Sequence, residues 1–368
     1  MRVWHSDISK SRLAVGSLEI SLMRKESMLL HLSLLNIRSG EASTILDLMS
    51  KALILGTRGS DLALTQARMV ETALKAQGID VKIEVVKTSG DKRPDLKLVE
   101  FSGGDNPILD KGIFTKELEE ALIRGEIDFA VHSLKDVPTE LGEGFEICAT
   151  LPRAEITDVL LTTEAGRGGD LSNLKGKTIA TSSVRRARQL QWVCPGVNVV
   201  DIRGNVPTRI RKLIRNDEWD GILLARAGIE RLGIYKPGEA TFDFEGSTVY
   251  AAELPEDEFL PAAGQGAVAL EIRSDKVAVS EALASVNDEP TFQRITAERA
   301  FLRLLQAGCQ TPVGAYTWFE ENGATLAMSV RVFDEDEPDK DPFVAQVRGA
   351  ASDPAGLADR LMEQRGNS

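Results

Sequence analysis

Cys309 stands in the run Gly308-Cys309-Gln310-Thr311-Pro312-Val313-Gly314. Glycine at both ends and a proline inside make this a loop of fixed shape that presents one thiol. Residues 177–215 hold nine basic side chains and a single acid, Asp201, in a chain of net charge −12, so the local surplus calls for a reason. Arg188, Arg211, Lys212 and Arg215 read as helix surface. Arg185, Arg186, Arg203 and Arg209 lie at or near strand-to-helix turns, and Arg58 occupies the same kind of turn earlier in the chain. An arginine fork pairs with carboxylates in a bidentate way, and exposed helix N–H groups add to the attraction. The set reads as a cleft for a ligand with several carboxylates or phosphates, and the absence of a Walker-type loop or GxGxxG disfavours phosphate. Together with the thiol, these residues describe arginines that hold a polyanion growing from Cys309.

One acid is placed where the cations converge. Asp136 follows Lys135 at the end of an apolar run, Ile127 to Val131, continued by His132-Ser133-Leu134. A carboxylate there can relay protons or stabilise a cationic intermediate; it can equally pair with Lys135 or cap the turn before Pro138. His132 is the one histidine after residue 31 and reads as a structural residue at a strand end, which leaves a Cys309–His132 hydrolase short of partners. Cys148 and Cys194 read as packing residues.

The elements that must carry these groups form a pattern that recurs. Lys51–Gly56 reads as a strand, Ala63, Ala67, Val70 and Leu74 mark one face of a helix capped by Ser60 or Asp61, and Val81–Val86 is a second strand. After a polar stretch, 88–110, come a helix over 114–124 and a strand from 127. The same order returns as a strand at 177–180, a helix capped within Thr181-Ser182-Ser183, a strand at 197–202, a helix from Arg203-Gly204-Asn205 to Arg215, and a strand at 222–224. Leu122 to Asp128 echoes Leu213 to Asp220. Two such β-α-β-α-β units predict two α/β domains facing across a cleft, with ligands at strand carboxyl ends beside helix N-termini. The Gly-rich stretch 260–271 reads as a return crossing to the first domain. From Thr291 a helix, the Cys309 loop and strands around Glu321-Asn322-Gly323 predict a small α+β third domain. The acidic run 334–341 reads as a solvated loop.

The boundaries that follow are an N-terminal extension at 1–48, expected to be disordered, a first domain at 49–152 and 266–286, a second at 153–265, and a third at 287–368. A length of 368 residues fits two or three cores. Net acidity argues against a nucleic-acid partner, no apolar run spans a membrane, and three scattered cysteines fit the cytoplasm better than a disulfide or metal framework. No metal is expected, and a monomer is the default.

Seven motifs resemble those of the porphobilinogen deaminase family: Gly56-Thr57-Arg58-Gly59-Ser60, Lys111-Gly112-Ile113-Phe114-Thr115-Lys116-Glu117-Leu118, Ala130-Val131-His132-Ser133-Leu134-Lys135-Asp136-Val137-Pro138, Thr181-Ser182-Ser183-Val184-Arg185-Arg186, Arg203-Gly204-Asn205-Val206, Ala263-Gly264-Gln265-Gly266-Ala267 and the Cys309 loop. They run in order from about residue 51. The resemblance implies two α/β domains like those of periplasmic binding proteins plus a cofactor-carrying third. It implies one dipyrromethane per chain, held through a thioether at Cys309. Four porphobilinogen molecules are condensed onto it with loss of ammonia, and hydrolysis releases hydroxymethylbilane. Asp136 matches the catalytic aspartate. By the same resemblance Lys135, Ser183, Arg185, Arg186, Arg203 and Gly204 would hold the cofactor, and Arg58, Ser60, Ser133, Thr181, Ser182, Arg209, Arg231 and Gln265 the substrate. The alternative from the residues alone is a non-catalytic carboxylate-solute binding protein of the same two-domain fold, which leaves Cys309 and Asp136 without a purpose.

Overall fold

A computed structural model describes residues 51–88, 115–165, 171–308, 311–321, 323–337 and 339–366. The expectations for residues 1–48, for the stretch 89–110, for the Lys111–Phe114 part of the second motif and for Cys309 itself fall outside those residues.

The chain starts with β1 (Leu53–Thr57), α1 (Asp61–Ala76) and β2 (Val81–Val85), then α2 (Lys116–Arg124), β3 (Phe129–Ser133), a single 3-10 turn at Leu134–Asp136, and β4 (Phe145–Thr150). Ser60, not Asp61, caps α1: its Oγ accepts from the Ala63 amide at 3.3 Å. The chain then crosses to β5 (Asp158–Thr162) and continues through β6 (Thr178–Ala180), α3 (Val184–Val193), β7 (Asn198–Val200), α4 (Val206–Arg215), β8 (Gly221–Ala225), α5 (Arg226–Arg231), β9 (Thr241–Phe244) and β10 (Ser247–Glu253). It crosses back at 254–267 to β11 (Val268–Arg273) and α6 (Val277–Ala284). The last portion is α7 (Glu289–Leu304), β12 (Val313–Phe319), β13 (Thr325–Val332), β14 (Phe343–Ala350) and α8 (Gly356–Gly366).

Three sheets result among the described residues, in the orders β2-β1-β3-β11-β4, β7-β6-β8-β5-β10-β9 and β12-β13-β14. The internal repeat is real at the level of topology. β1 lies parallel between β2 and β3, as β6 lies parallel between β7 and β8. An antiparallel strand follows in each sheet, β11 beside β3 and β5 beside β8, and each is reached by one of the crossings. The echo seen in sequence has a matching detail. The Asp128 carboxylate accepts from the Ile54 amide while its own N–H donates to Ile54 O, both at 2.8 Å; Asp220 does the same with Thr178, again at 2.8 Å. Each aspartate thus pins the first turn into a strand to the start of the central one, satisfying backbone groups that would otherwise be orphaned.

Apolar faces close around these sheets. Leu55, Val70, Leu74, Phe129, Leu270 and Leu283 form the first core, Leu161, Ile179, Leu190, Leu223 and Phe259 belong to the two cores flanking the second sheet, and Phe301, Met328, Val330 and Leu361 fill the third. No helix among the described residues is long and apolar enough to cross a membrane. Cys148 lies half-buried in β4 and Cys194 is buried at the end of α3, as packing residues would be.

The acidic run departs from the sequence reading. It is not merely solvated, and Arg188 is not merely helix surface. Arg188 Nη2 donates to the carbonyls of Asp334 and Glu337, and Trp192 Nε1 donates to the Asp341 carboxylate at 3.3 Å. The Asp334 carboxylate caps the amides of Asp336 and Glu337, which bends the loop so that its carbonyls face α3. A charge run signals solvated side chains, while the groups used here are mainly backbone ones.

Candidate active site

The residues singled out by sequence come together at the carboxyl ends of parallel strands. The turn after β1 supplies Arg58 and Ser60. The end of β3 and its 3-10 turn supply Ser133, Lys135 and Asp136. The β6–α3 turn supplies Thr181, Ser182, Ser183, Arg185 and Arg186, and the β7–α4 turn supplies Arg203, Gly204 and Arg209. Arg231 ends α5, and Gln265 lies in the return crossing. Cys309 lies outside the described residues, but Ala307, Gly308 and Thr311 flank it: Thr311 N donates to Gly308 O at 3.2 Å and Gly308 N to Thr311 Oγ1 at 3.1 Å.

The two α/β units meet here through side chains: Lys135 of the first donates to Gln265, whose amide donates to Asp158, the partner of Arg185 and Arg186 in the second. Lys135 is open to the cleft, yet protein packed around its ammonium lowers its pKa to about 8, with Asp136 and Asp158 opposing the fall and Arg186 and Arg185 adding to it. Burial likewise brings Arg209 down to about 10; Arg186 and Arg203 push the same way, and Asp136 pushes back. Asp136 of the first unit and Arg209 of the second are therefore within each other's field.

Several side chains have a resident partner. Ser183 Oγ caps α3 by accepting from the Arg186 amide at 3.4 Å, and Thr181 Oγ1 accepts from the Ser183 amide at 3.2 Å. Arg203 Nε donates to Asp201 at 3.0 Å, and Arg209 Nε to Gly204 O at 2.7 Å. Gly204 sits at φ +116°, and a Cβ there would meet Thr208 Cγ2 at 2.7 Å, so this turn admits only glycine. Arg231 Nη2 donates to Gly266 O at 2.6 Å.

Arg185 and Arg186 differ most from expectation. Both are buried, and each gives one Nη2 bond of 2.8 Å to Asp158, while their Nη1 atoms donate to Leu260 O (2.6 Å) and Leu223 O (3.0 Å). Burial works to raise the pKa of Asp158, but the two guanidiniums, with hydrogen bonds from Arg186 and Gln265, hold it well below the usual carboxylate range. Gln265 Nε2 donates to Asp158 Oδ1 at 2.9 Å and to Ile156 O, and its Oε1 accepts from Lys135 Nζ at 3.4 Å. It links the buried triad to the open lysine.

Sequence reasoning missed Asp158, which no local pattern marks. It also missed Gln66, whose amide donates to Ser133 Oγ at 2.7 Å and accepts from it at 3.1 Å. A polar residue on the buried face of α1 was the available signal. His132 is structural as read: buried, with Nε2 2.7 Å from the Glu271 carboxylate.

The donor set suits a polycarboxylate. Among the described residues Lys135 makes one long bond, and the bonds of Arg203 and Arg209 leave from Nε, not from their terminal nitrogens. Two α/β units, guanidiniums at their strand ends and an exposed acid, Asp136, beside Lys135 suit a protein that handles a polycarboxylate and moves protons.

Comparison with known proteins narrows this. Residues 53–281 match the family model described as porphobilinogen deaminase, dipyromethane cofactor binding domain, and residues 292–364 match the porphobilinogen deaminase C-terminal domain. The porphobilinogen deaminase of Rubrobacter xylanophilus is 43% identical over 267 residues, covering 73% of this chain and 80% of its own. Those of Trichlorobacter lovleyi (39%, covering 86% and 95%) and Syntrophomonas wolfei (41%, covering 85% and 96%) align over more of the length. Among solved structures, the periplasmic VFT2 domain of Bordetella pertussis BvgS aligns with a TM-score of 0.40 at 14% identity over 71% of this chain and 98% of that one, too distant to weigh. The chain belongs to the porphobilinogen deaminase family. It is a transferase of tetrapyrrole biosynthesis that uses a dipyrromethane cofactor and takes porphobilinogen as its small-molecule substrate.

Proposed function

We propose that Cys309 carries the dipyrromethane through a thioether and that Asp136 is the acid of each condensation. The observation that carries this is the hydrogen-bonded line from Lys135, the neighbour of Asp136, through Gln265 to Asp158 and the start of α3, which brings groups of both units onto one site. Lys135, Arg203 and the Ser183 end of α3 hold the cofactor's carboxylates, while Arg185 and Arg186, which the sequence assigned to the cofactor, are buried and already paired with Asp158 and support that end from behind. Arg58, Arg209 and Arg231, with Ser60, Ser133, Thr181 and Ser182, orient the substrate's acetate and propionate. When bound, the cofactor supplies the free pyrrole carbon to which the first substrate is joined. The Asp136 carboxylate accepts pyrrole N–H bonds, balances the positive charge that departing ammonia leaves on the substrate, and takes up the proton released as the new bond forms. We assign domain boundaries at 49–152 with 266–286, 153–265 and 287–368, a monomer, and a cytoplasmic setting without nucleic acid or membrane.

The test is the intact mass of the denatured protein beside Cys309→Ala. A covalent excess of two pyrrole units in the wild type, absent from the variant, is expected. A bare wild type, still bare after incubation with porphobilinogen, rejects the assignment.

Lys135 gives a pH dependence. Its cation is complete well below its pKa of about 8 and is lost as pH rises through that value. A charge-assisted hydrogen bond contributes about 1.5–3 kcal/mol, so kcat/KM should fall about tenfold or more across this limb. Lys135→Met should start lower and lack the limb. A variant profile that keeps it places the titrating group elsewhere.

A further inference from the structure

Helix α7 touches the reaction site from outside. Arg299, partly buried on its flank, donates from Nη2 to two successive carbonyls, Pro138 O at 2.8 Å and Thr139 O at 2.9 Å. Thr139 Oγ1 then donates to Ala307 O at 3.2 Å. Both contacts bear on short, stiff pieces of chain. Upstream, Asp136 closes a 3-10 turn, Val137 is extended with its N–H bonded to Leu134 O, and Pro138 has a fixed φ. Only three peptide units separate Asp136 from Thr139. Downstream, Ala307 N closes the end of α7 on Leu302 O, Gln306 takes the left-handed conformation at φ 54°, and Gly308 is bonded to Thr311 across position 309.

We infer that Thr139 and Arg299 are positioning residues: they register the segment following Asp136 against the segment leading into Cys309. The inference rests on the reading that Cys309 bears the cofactor and Asp136 is the acid. Under it, the tethered end of the chain and the catalytic carboxylate are spaced by one hydroxyl and one guanidinium rather than by the cleft walls. Burial and Arg303 lower the pKa of Arg299 to about 10, so the guanidinium is still charged at neutral pH. It spends that charge on two carbonyls from the single nitrogen Nη2, which lies one bond farther out than a lysine ammonium reaches, so lysine at this position falls short of both.

The test uses the full-length protein as wild type, Thr139→Val, Thr139→Ser and Arg299→Lys. For each, intact mass reads cofactor loading, thermal melting reads the fold, and steady-state assays with porphobilinogen separate kcat from KM. Hydrogen exchange of peptides spanning 305–313 reads the tether. A small displacement of reacting groups costs far more in rate than in affinity. In Thr139→Val we expect full loading, KM within about twofold, kcat lowered about tenfold and faster exchange at 307–308. Thr139→Ser should restore both, and Arg299→Lys should match or exceed the valine loss. Wild-type kcat and exchange in both Thr139→Val and Arg299→Lys, on a loaded protein, would overturn the inference alone, as would a serine variant no better than valine. A bare wild type overturns the cofactor reading, and the inference with it.

Discussion

Asp136→Asn should lower kcat by about 10² to 10⁴ while cofactor loading and melting temperature stay at wild-type values. That range is what a positioned proton carrier contributes, and here the same group also supplies charge compensation. The side chain projects from a one-turn 3-10 helix at the end of β3 and is exposed to the cleft, so an amide fits without repacking. It keeps the shape and loses both the charge and the proton affinity. KM should move by a few-fold at most, because substrate carboxylates are assigned to cations. Asp136→Glu keeps the charge on a longer arm and should fall between the two. Rapid-quench single turnovers with loaded enzyme make the measurement. A loss of less than about threefold in Asp136→Asn would mean that another group moves the proton.

Asp158→Asn should cost about 3–5 kcal/mol of folding stability, the usual result of leaving buried charge without its partner. Both guanidiniums that remain, Arg185 and Arg186, are nearly inaccessible and lie on adjacent residues. In a protein of this size that loss lowers the melting temperature by on the order of 10 °C. The pH dependence has a definite sign. The folded pKa of Asp158 is depressed, so its contribution is complete above the unfolded carboxylate value of about 4 and drains away as pH falls below it. The gap between wild type and variant should therefore be level from neutral pH to about 5 and close in stronger acid. Calorimetry across that range decides it; a variant that melts with the wild type at pH 7 would show that the arginines find another counter-charge.

The contrast between these residues explains what sequence could convey. Asp136 was legible because it follows directly on a strand and a lysine, and local order places it at a strand mouth. The paired units were legible because each repeats strand, cap and helix, down to the matched Asp128 and Asp220. Asp158 was invisible because its partners are 27, 28 and 107 residues away. Arg185 and Arg186 were rightly placed at a helix start, but spacing along a chain cannot reveal that a carboxylate from β5 has reached them first. Thr139 and Arg299 act through backbone carbonyls, which every residue owns and no pattern marks. The docking of the acidic run on Arg188 escaped notice for the same reason.

The two crossings have a mechanical meaning. Ala154 N donates to Gly266 O at 3.1 Å, so they run side by side. Glu298 of α7 grips both, taking two bonds from Arg153 at 2.7 and 2.9 Å and one from the Gly264 amide at 2.7 Å; Ala315 of β12 bonds Pro261 of the second at 2.9 Å. The third unit is thus clamped to both crossings, and it also reaches each α/β unit: Arg299 bonds the Pro138 and Thr139 carbonyls of the first, and the Asp334 and Glu337 carbonyls accept from Arg188 of the second. A body fixed to the crossings and to both units acts as a brace. Any swing of one α/β unit against the other has to slide or break a contact with it, and the flanks of Cys309 ride on that brace.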